Sequence, residues 1–328
     1  MQARLQRAEA LSSLDDAALK PWYLKASFQL FDATGKPSEK GVLEEWWAGP
    51  ALSKITVTSP SFTGTTVVNS EGTFRNEGKE RMPFLLELLE RQIVHPMPQR
   101  GEVEGASLQL TQQTVGGNAL DCVMLSHAVR NMPHPTLGTF PTYCMRAKDM
   151  LQVSLDFGNF MAVRSPFGVF QQRVMPIQVE ITLNAIATVS AHVDVLKTMP
   201  LTAADFRVQG NMARVDAQRT HVEFEAIRAT QLANQPMALP LGFRPNGHSE
   251  PIVVRVLLST DGRVHSIRLV STPDPILAAP AMMAVMRWTF EPYRFKEQPA
   301  EVEVEVPVSI IMTRDVTPEM KAHQRSLF

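Results

Sequence analysis

Apolar and polar residues alternate with a period of two over most of residues 1–195, and this predicts a large antiparallel sheet. The run Leu24–Asp32 places leucine, alanine and phenylalanine on one face and lysine, serine and glutamine on the other, as in a strand with one buried face. Further short runs follow with turn residues between them, so we expect about eleven strands in an incomplete antiparallel barrel. A helical stretch over residues 2–18 precedes the first strand.

One segment interrupts the strands with helical periodicity. Residues 83–94 carry phenylalanine, leucine and isoleucine along a wide apolar stripe, which predicts a helix lying on an apolar surface. We expect this helix to fill the barrel with some room left over, because a barrel of about eleven strands encloses more volume than side chains easily fill. The residues predicted to line an apolar ligand space are Trp22, Phe28, Trp46, Phe84 and Leu88.

Residues 251–328 follow a different pattern, which predicts a small α+β module. The apolar-rich runs Ile252–Leu258 and Val264–Val270 are joined through Asp261-Gly262, a strong hairpin signal. A helical apolar stripe comes next, and a strictly alternating strand over Glu301–Ile311 closes the module. The helical stripe consists of Leu277, Ala281, Ala284, Val285 and Trp288. Residues 196–250 contain several prolines and glycines and are predicted to connect the two domains.

The closing strand is the predicted partner-binding site. Its valines and glutamates occupy opposite faces, so one face packs on the helix and the other meets water. If the strand lies at a sheet edge, its backbone accepts a partner's strand by β-augmentation. The alternative is that the glutamates only protect an edge strand from pairing. The residues concerned are Glu301, Val302, Glu303, Val304, Glu305 and Val306.

Composition narrows the range of functions. The 328 residues carry a formal net charge of −1 without a basic run, which argues against an electrostatic nucleic-acid surface. No motif of a serine hydrolase, a P-loop, a zinc protease or a dinucleotide site occurs. The carboxylate pair Glu44-Glu45 is a poor acid–base couple because neighbours on a strand point to opposite faces. We therefore expect no catalytic activity, no cofactor and no metal.

The two cysteines, Cys122 and Cys144, bear on the compartment. Both lie in apolar-rich runs on either side of a loop, so adjacent antiparallel strands would bring them together in a disulfide; the alternative is two buried free thiols. A disulfide implies an oxidising compartment such as the periplasm. No apolar run reaches the length of a membrane span. The N-terminus is too polar for a signal peptide, and we expect such a signal to have been removed or left out.

The C-terminal residues resemble the C-terminal domain of TonB, the periplasmic end of the energy transducer for outer-membrane transporters. The likeness consists of DGRV after a β-run, an S...P.L...A..AV..W.F.P pattern, and a valine-alternating strand ending in Pro-Val. The pattern is carried by Ser271, Leu277, Ala281, Ala284, Val285, Trp288, Phe290 and Pro292. The tyrosine–proline pair that usually precedes the module in this family is absent from LGFRPNGHSEPI.

Residues 1–195 resemble the lipoprotein carrier LolA and its relatives. The likeness rests on the strand Leu24–Asp32, the helix at 83–94 and the closing stretch FGVFQQRVMPIQVEITLNAIATVSAHVDVL. Together the two resemblances imply a non-enzymatic periplasmic adaptor of a Gram-negative cell envelope. Its C-terminal module would bind a protein partner, such as an outer-membrane transporter or a lipoprotein. The alternative is a carrier or sensor of a lipid or another apolar ligand held in the half-barrel.

Overall fold

The computed structural model describes the chain over sixteen stretches, and every structural statement below refers to them. They are residues 1–32, 34–76, 82–98, 100–104, 106–115, 117–126, 140–156, 160–183, 185–210, 212–214, 220–233, 236–237, 239, 250–272, 274–295 and 297–309. The helices are α1 (Gln2–Ser12), α2 (Phe84–Val94), α3 (Arg100–Glu104), α4 (Phe224–Arg228) and α5 (Ala278–Val285).

The strands fall into two groups along the chain. The first group is β1 (Trp22–Phe31), β2 (Pro37–Gly49), β3 (Leu52–Thr58), β4 (Thr63–Asn69), β5 (Gly72–Asn76), β6 (Ser107–Val115), β7 (Asn118–Ser126), β8 (Thr142–Arg146), β9 (Met150–Asp156), β10 (Phe160–Arg164), β11 (Phe167–Phe170), β12 (Arg173–Pro176), β13 (Gln178–Leu183), β14 (Ile186–Thr198) and β15 (Met212–Arg214). The second group is β16 (Thr220–His221), β17 (Gln231–Ala233), β18 (Ile252–Leu258), β19 (Val264–Ser271), β20 (Thr289–Phe290), β21 (Arg294–Phe295), β22 (Gln298–Pro299) and β23 (Val302–Val308).

Most of the first group forms one antiparallel sheet of thirteen strands, in the order β15-β5-β4-β3-β2-β1-β14-β13-β10-β9-β8-β7-β6. The two end strands, β15 and β6, do not pair with each other, so the sheet is open. β11 and β12 form a separate hairpin. The predicted α+β class with an incomplete antiparallel barrel is confirmed, with more strands than the eleven or so that the alternation indicated.

The concave side of this sheet holds α2. Along β1 every second residue from Trp22 to Phe28 is buried, and the leucine-rich face of α2 packs into the same core. Gly41 of β2 lies opposite Phe28, and a β-carbon there would stand 2.3 Å from the Phe28 ring. The glycine therefore makes room for the ring, and the predicted helix inside the barrel is confirmed.

The second group builds the C-terminal module around a four-stranded sheet in the order β16-β23-β18-β19. The predicted hairpin joins β18 and β19, with Gly262 at φ +80°. A β-carbon on Gly262 would lie 1.9 Å from the carbonyl oxygen of Phe290, so this turn requires glycine. Helix α5 packs its buried residues on one face of the sheet.

Residues 196–250 contribute to both parts. β15 pairs with β5 and so extends the large sheet. In contrast, Val222 and Ile227 are buried in the apolar core of the C-terminal module, and β17 pairs with β20. The domain boundaries 1–195, 196–250 and 251–328 stay a prediction, and residues 310–328 lie outside the described part of the chain.

The two parts share an apolar contact. Phe84, at the start of α2, packs against both cores, and Met283 of α5 packs against the core of the large sheet. His265 of β19 lies beside this contact, with its Nδ1 atom 2.9 Å from a carboxylate oxygen of Glu87. The C-terminal module therefore lies against the beginning of the enclosed helix.

Cys122 and Cys144 face each other on β7 and β8 and form a disulfide, as predicted. The bond closes a loop with a sequence separation of 22. We expect the double variant Cys122→Ala/Cys144→Ala to lose about 3 kcal/mol of unfolding free energy, because the denatured chain regains loop entropy. Urea unfolding with and without reductant measures this loss.

The reductant serves as the control for this prediction. It should lower the stability of the wild-type chain and leave the double variant unchanged. Equal stabilities of wild type and variant under oxidising conditions would contradict the stabilising role of the bond.

Candidate functional site

The predicted partner-binding strand is β23, and its side chains are already engaged within the module. Val302, Val304 and Val306 are fully buried in the core beneath α5. Glu301 is also buried, at 5% exposure. A partner at this strand would therefore meet its backbone rather than its valines. Residues 310 and 311 of the predicted strand are not among the described residues.

The remaining glutamates form a charged row on the face opposite α5. Glu305 accepts a hydrogen bond from Nε of Arg255 at 3.1 Å, and Glu303 lies 3.7 Å from a guanidinium nitrogen of Arg268. Glu303 is also 3.9 Å from Nε of Arg255. These half-exposed pairs hold their side chains over the sheet face, where each contributes little stability. These ion pairs do not involve the backbone edge of β23.

Hydrogen-bond alternation identifies the backbone groups on that edge. In an antiparallel pair, successive residues point their N–H and C=O groups alternately towards and away from the partner strand. Val222 N–H donates to the carbonyl oxygen of Glu303 at 3.0 Å, so Glu303 points away from β18. By the same alternation, the backbone groups of Glu305 and Pro307 also point away from β18. Since proline has no N–H, a strand added here finds its last donor at Glu305.

The chain itself covers the first part of this edge. β16 runs parallel to β23 and pairs Thr220 with Val302 and His221 with Glu303. The next residue, Val222, is 8% exposed and packs into the module core. The chain then turns into α4, and the described pairs do not continue to Glu305. β16 therefore covers the edge of β23 at Val302–Glu303. Beyond Val304, β16 does not pair with β23.

The predicted apolar-ligand residues do not all face the same way. Trp22, Phe28 and Leu88 are buried in the core between the large sheet and α2, and Phe84 is half-buried at the boundary with the C-terminal module. The prediction that Trp46 lines the same space is wrong. Trp46 lies on the outer face of the sheet beside Tyr23, with ring centroids 5.1 Å apart.

Of the two adjacent tryptophans on β2, Trp47 is the one that faces the core. It is 4% exposed and stacks on Trp22 at 5.8 Å between centroids. The inner face of β2 thus carries Trp47, Glu45 and Leu43, which pair with Trp22, Leu24 and Ala26 of β1.

Sequence reasoning missed a buried polar cluster at the end of α2. Arg164 is 1% exposed, and its Nε–H donates to the carbonyl oxygen of Gln92 at 3.1 Å. That carbonyl belongs to the last turn of α2, which lacks partners within the helix. Nη2 of Arg164 donates to Ser154 at 3.1 Å, and Ser154 donates to the Gln92 side chain at 2.9 Å. The period-two run Phe160, Ala162, Arg164 was the signal that this arginine faces inward.

The carboxyl group of Glu45 is a second buried polar group on the inner face of the sheet. Glu45 is 3% exposed, and its Oε2 atom has no hydrogen-bond partner among the described residues. Burial, followed by the nearby carboxylates of Glu90 and Asp15, raises the pKa of Glu45 well above its usual value. Burial also raises the pKa of Glu90, on α2, to about 8. Glu90 is therefore mostly protonated at neutral pH, and the folded protein favours the neutral form of both acids over the charged form.

A cavity of about 10 Å³ lies at the β3–β4–β5 end of the large sheet, lined by residues that include Ile55, Phe62 and Met82. A space of this size holds about one water molecule. Ligand pockets are roughly thirty times larger or more, so this cavity does not hold an acyl chain.

The described residues include no His, Cys, Asp and Glu grouping that could hold a metal ion. No helix in the described ranges is long and apolar enough to cross a membrane.

The fold and its edge strand define a two-part α+β protein, in which an open sheet around a helix is joined to a small sheet–helix module. Residues 244–309 match the family model described as Gram-negative bacterial TonB protein C-terminal. This segment contains β18, β19, α5 and β23, so the TonB-like resemblance predicted for the C-terminal residues is confirmed.

Two solved structures are similar to the N-terminal part of the chain. A LolA superfamily protein from Nitrosomonas europaea is 9% identical, with a TM-score of 0.44, over 63% of this chain and 97% of its own. A DUF1329 family protein from Desulfovibrio piger is 11% identical, with a TM-score of 0.35, over 63% of this chain and 96% of its own. A search of curated protein sequences found no match.

Proposed function

We propose that this protein is a non-enzymatic adaptor of the Gram-negative cell envelope, which acts in the periplasm and binds a protein partner through the edge of β23. The observation that carries the proposal is the outward-facing backbone of Glu305, beyond the two positions that β16 covers, on a strand whose side chains are already satisfied within the module. Unpaired strand edges are the surfaces on which proteins accept an extended segment of another chain. The TonB C-terminal family match supports this function.

The expected partner is an extended segment of another envelope protein, such as an outer-membrane transporter or a lipoprotein. Its affinity would come from main-chain hydrogen bonds to β23, and its specificity from alternate side chains on either face of the sheet. The glutamates of the charged row would lie beside that segment. Their pairing with Arg255 and Arg268 holds these side chains over the sheet face.

The test compares two substitutions of Glu305, after partner segments have been found by photo-cross-linking from position 305 in an envelope extract. Glu305→Ala and Glu305→Pro both remove the ion pair with Arg255, but only proline removes the outward N–H. We expect Glu305→Pro to weaken binding of the cross-linked segment at least tenfold and Glu305→Ala less than threefold, since a lost backbone hydrogen bond and the proline ring both oppose pairing. Isothermal titration with the synthetic segment measures both affinities.

Proline is tolerated where an edge N–H points outward, and circular dichroism checks that both variants fold. Equal affinities of the two variants would contradict backbone pairing at Glu305. A larger loss in Glu305→Ala than in Glu305→Pro would instead assign the contact to the carboxylate.

The alternative function, carriage or sensing of a lipid or another apolar ligand, remains a prediction. Its predicted lining residues Trp22, Phe28 and Leu88 are buried against α2, so a ligand in their place requires α2 to move. Mass spectrometry of an organic extract of the purified protein tests this. A stoichiometric apolar compound would favour the carrier, and an empty folded protein would leave the adaptor function.

A further inference from the structure

The short strand β16 provides an example of what the edge of β23 accepts. It is a segment of the same chain, only two residues long, and it lies parallel to β23 with Val222 N–H bonded to Glu303 at 3.0 Å. Val222 then places its side chain in the module core. The site thus combines one backbone acceptor, Glu303, with an apolar pocket occupied by a β-branched side chain.

The register explains why this segment leaves the edge so early. The parallel pairing of His221 with Glu303 would continue with Val222 beside Val304 and Glu223 beside Glu305. Val222 and Val304 both face the core, which is favourable. Glu223 would lie beside Glu305 on the charged face, and like charges directly opposite each other destabilise a sheet. The chain turns away into α4 at this point, and Glu305 keeps its outward backbone groups.

We propose that residues 220–222 are a built-in occupant of the β23 edge, which a partner strand replaces by running parallel to β23 in the same register. This inference rests on the proposed function of that edge. The partner strand carries an apolar, β-branched residue at the place of Val222 and a basic residue at the next place, where it faces Glu305. Such a strand keeps the apolar contact of Val222 and continues the ladder where the chain's own Glu223 stops it.

The probes are two synthetic peptides that reproduce residues 218–226, one with the natural sequence QRTHVEFEA and one with lysine at the place of Glu223. Two single variants of the full chain differ in which N–H they lose. Val222→Pro removes the N–H that bonds to Glu303, whereas His221→Pro removes an N–H that points away from β23. Fluorescence anisotropy of labelled peptides measures the affinities.

We expect the lysine peptide to bind Val222→Pro at least tenfold tighter than it binds His221→Pro or the wild-type chain. We also expect it to bind Val222→Pro at least fivefold tighter than the natural peptide does. Equal binding to the two proline variants, with both folded by circular dichroism, overturns the proposal. A preference for the natural peptide overturns the assignment of a basic partner residue.

A variant in which a disulfide fixes β16 to β23, called the locked chain, tests the proposal if Val222→Pro fails to fold. His221 and Glu303 are directly paired across the two strands, so His221→Cys/Glu303→Cys allows a disulfide that holds β16 in place. We expect the locked chain to lose binding of the lysine peptide relative to the single variant Glu303→Cys. Unchanged binding by the locked chain overturns the occupant role. The proposed function stands without the occupant role if the cross-linked partner segment still binds Glu305→Pro more weakly than Glu305→Ala.

Discussion

Replacing Trp47 with alanine is expected to destabilise the protein by about 3–5 kcal/mol, whereas the same change at Trp46 should cost about 1 kcal/mol or less. Trp47 is buried and stacks on Trp22 at 5.8 Å, so its loss opens a large cavity in the core. Trp46 is half-buried on the outer face, where Lys54 Nζ lies 4.2 Å from its ring centroid. An exposed cation–π contact of this kind contributes about 0.5–1 kcal/mol.

The two tryptophans are adjacent in the sequence and chemically identical, so each variant is the matched control of the other. Urea unfolding followed by far-ultraviolet circular dichroism measures both free energies without relying on tryptophan fluorescence. Similar losses in the two variants, or a larger loss at Trp46, would contradict the inward position of Trp47.

The phase of β2 is a feature that the sequence did not reveal. Alternation shows that neighbouring residues face opposite sides, and Glu44 and Glu45 do so, as predicted. It does not show which side is buried when both phases contain a glutamate and a tryptophan. A slip of one residue exchanges the two faces of a strand, and the pairing of Trp47 with Trp22 decides the phase here. Assigning Trp46 to the interior was therefore wrong.

The C-terminal module was more predictable because its signals are local. The Asp261-Gly262 turn, the helical stripe of α5 and the alternation of β23 each depend on residues close together in the chain, and all three are present. β16 is different, because Thr220 and His221 pair with residues far along the chain over two positions only. No local pattern in Thr-His-Val predicts such a contact. The candidate strand could thus be predicted, but its occupant could not.

The carboxyl group of Glu90, on the helix α2 inside the large sheet, predicts a stability that falls as the pH rises. In the folded protein, burial raises the pKa of Glu90 to about 8 from an ordinary value of 4.5. Between these two values the folded chain binds more protons than the unfolded chain, so the unfolding free energy decreases with pH. The contribution of protonated Glu90 is fully present below pH 4.5 and is lost as the pH rises through about 8. The loss amounts to at most about 5 kcal/mol.

Glu90→Gln should remove most of this dependence, because the amide stays neutral at every pH in the range. We expect the variant to gain stability over wild type from pH 5 to pH 8, as measured by urea unfolding at several pH values. Glu223→Gln, which replaces an exposed carboxylate, is the control and should follow wild type. A wild-type curve that runs parallel to the Glu90→Gln curve would show that this carboxyl does not titrate within the fold.

His95 contributes to the same pH range with the opposite sign, which is why the difference between variants is more informative than the wild-type curve. Burial lowers the pKa of His95, so its contribution to stability is lost as the pH falls through the ordinary histidine range. That contribution is common to wild type and Glu90→Gln, and it cancels in their difference. A difference that grows with pH therefore reports the carboxyl group of Glu90, together with its electrostatic interaction with the neighbouring Glu45. Because Glu90 lies on α2 and Glu45 on the sheet, their ionisation weakens the contact that holds the helix inside the open barrel.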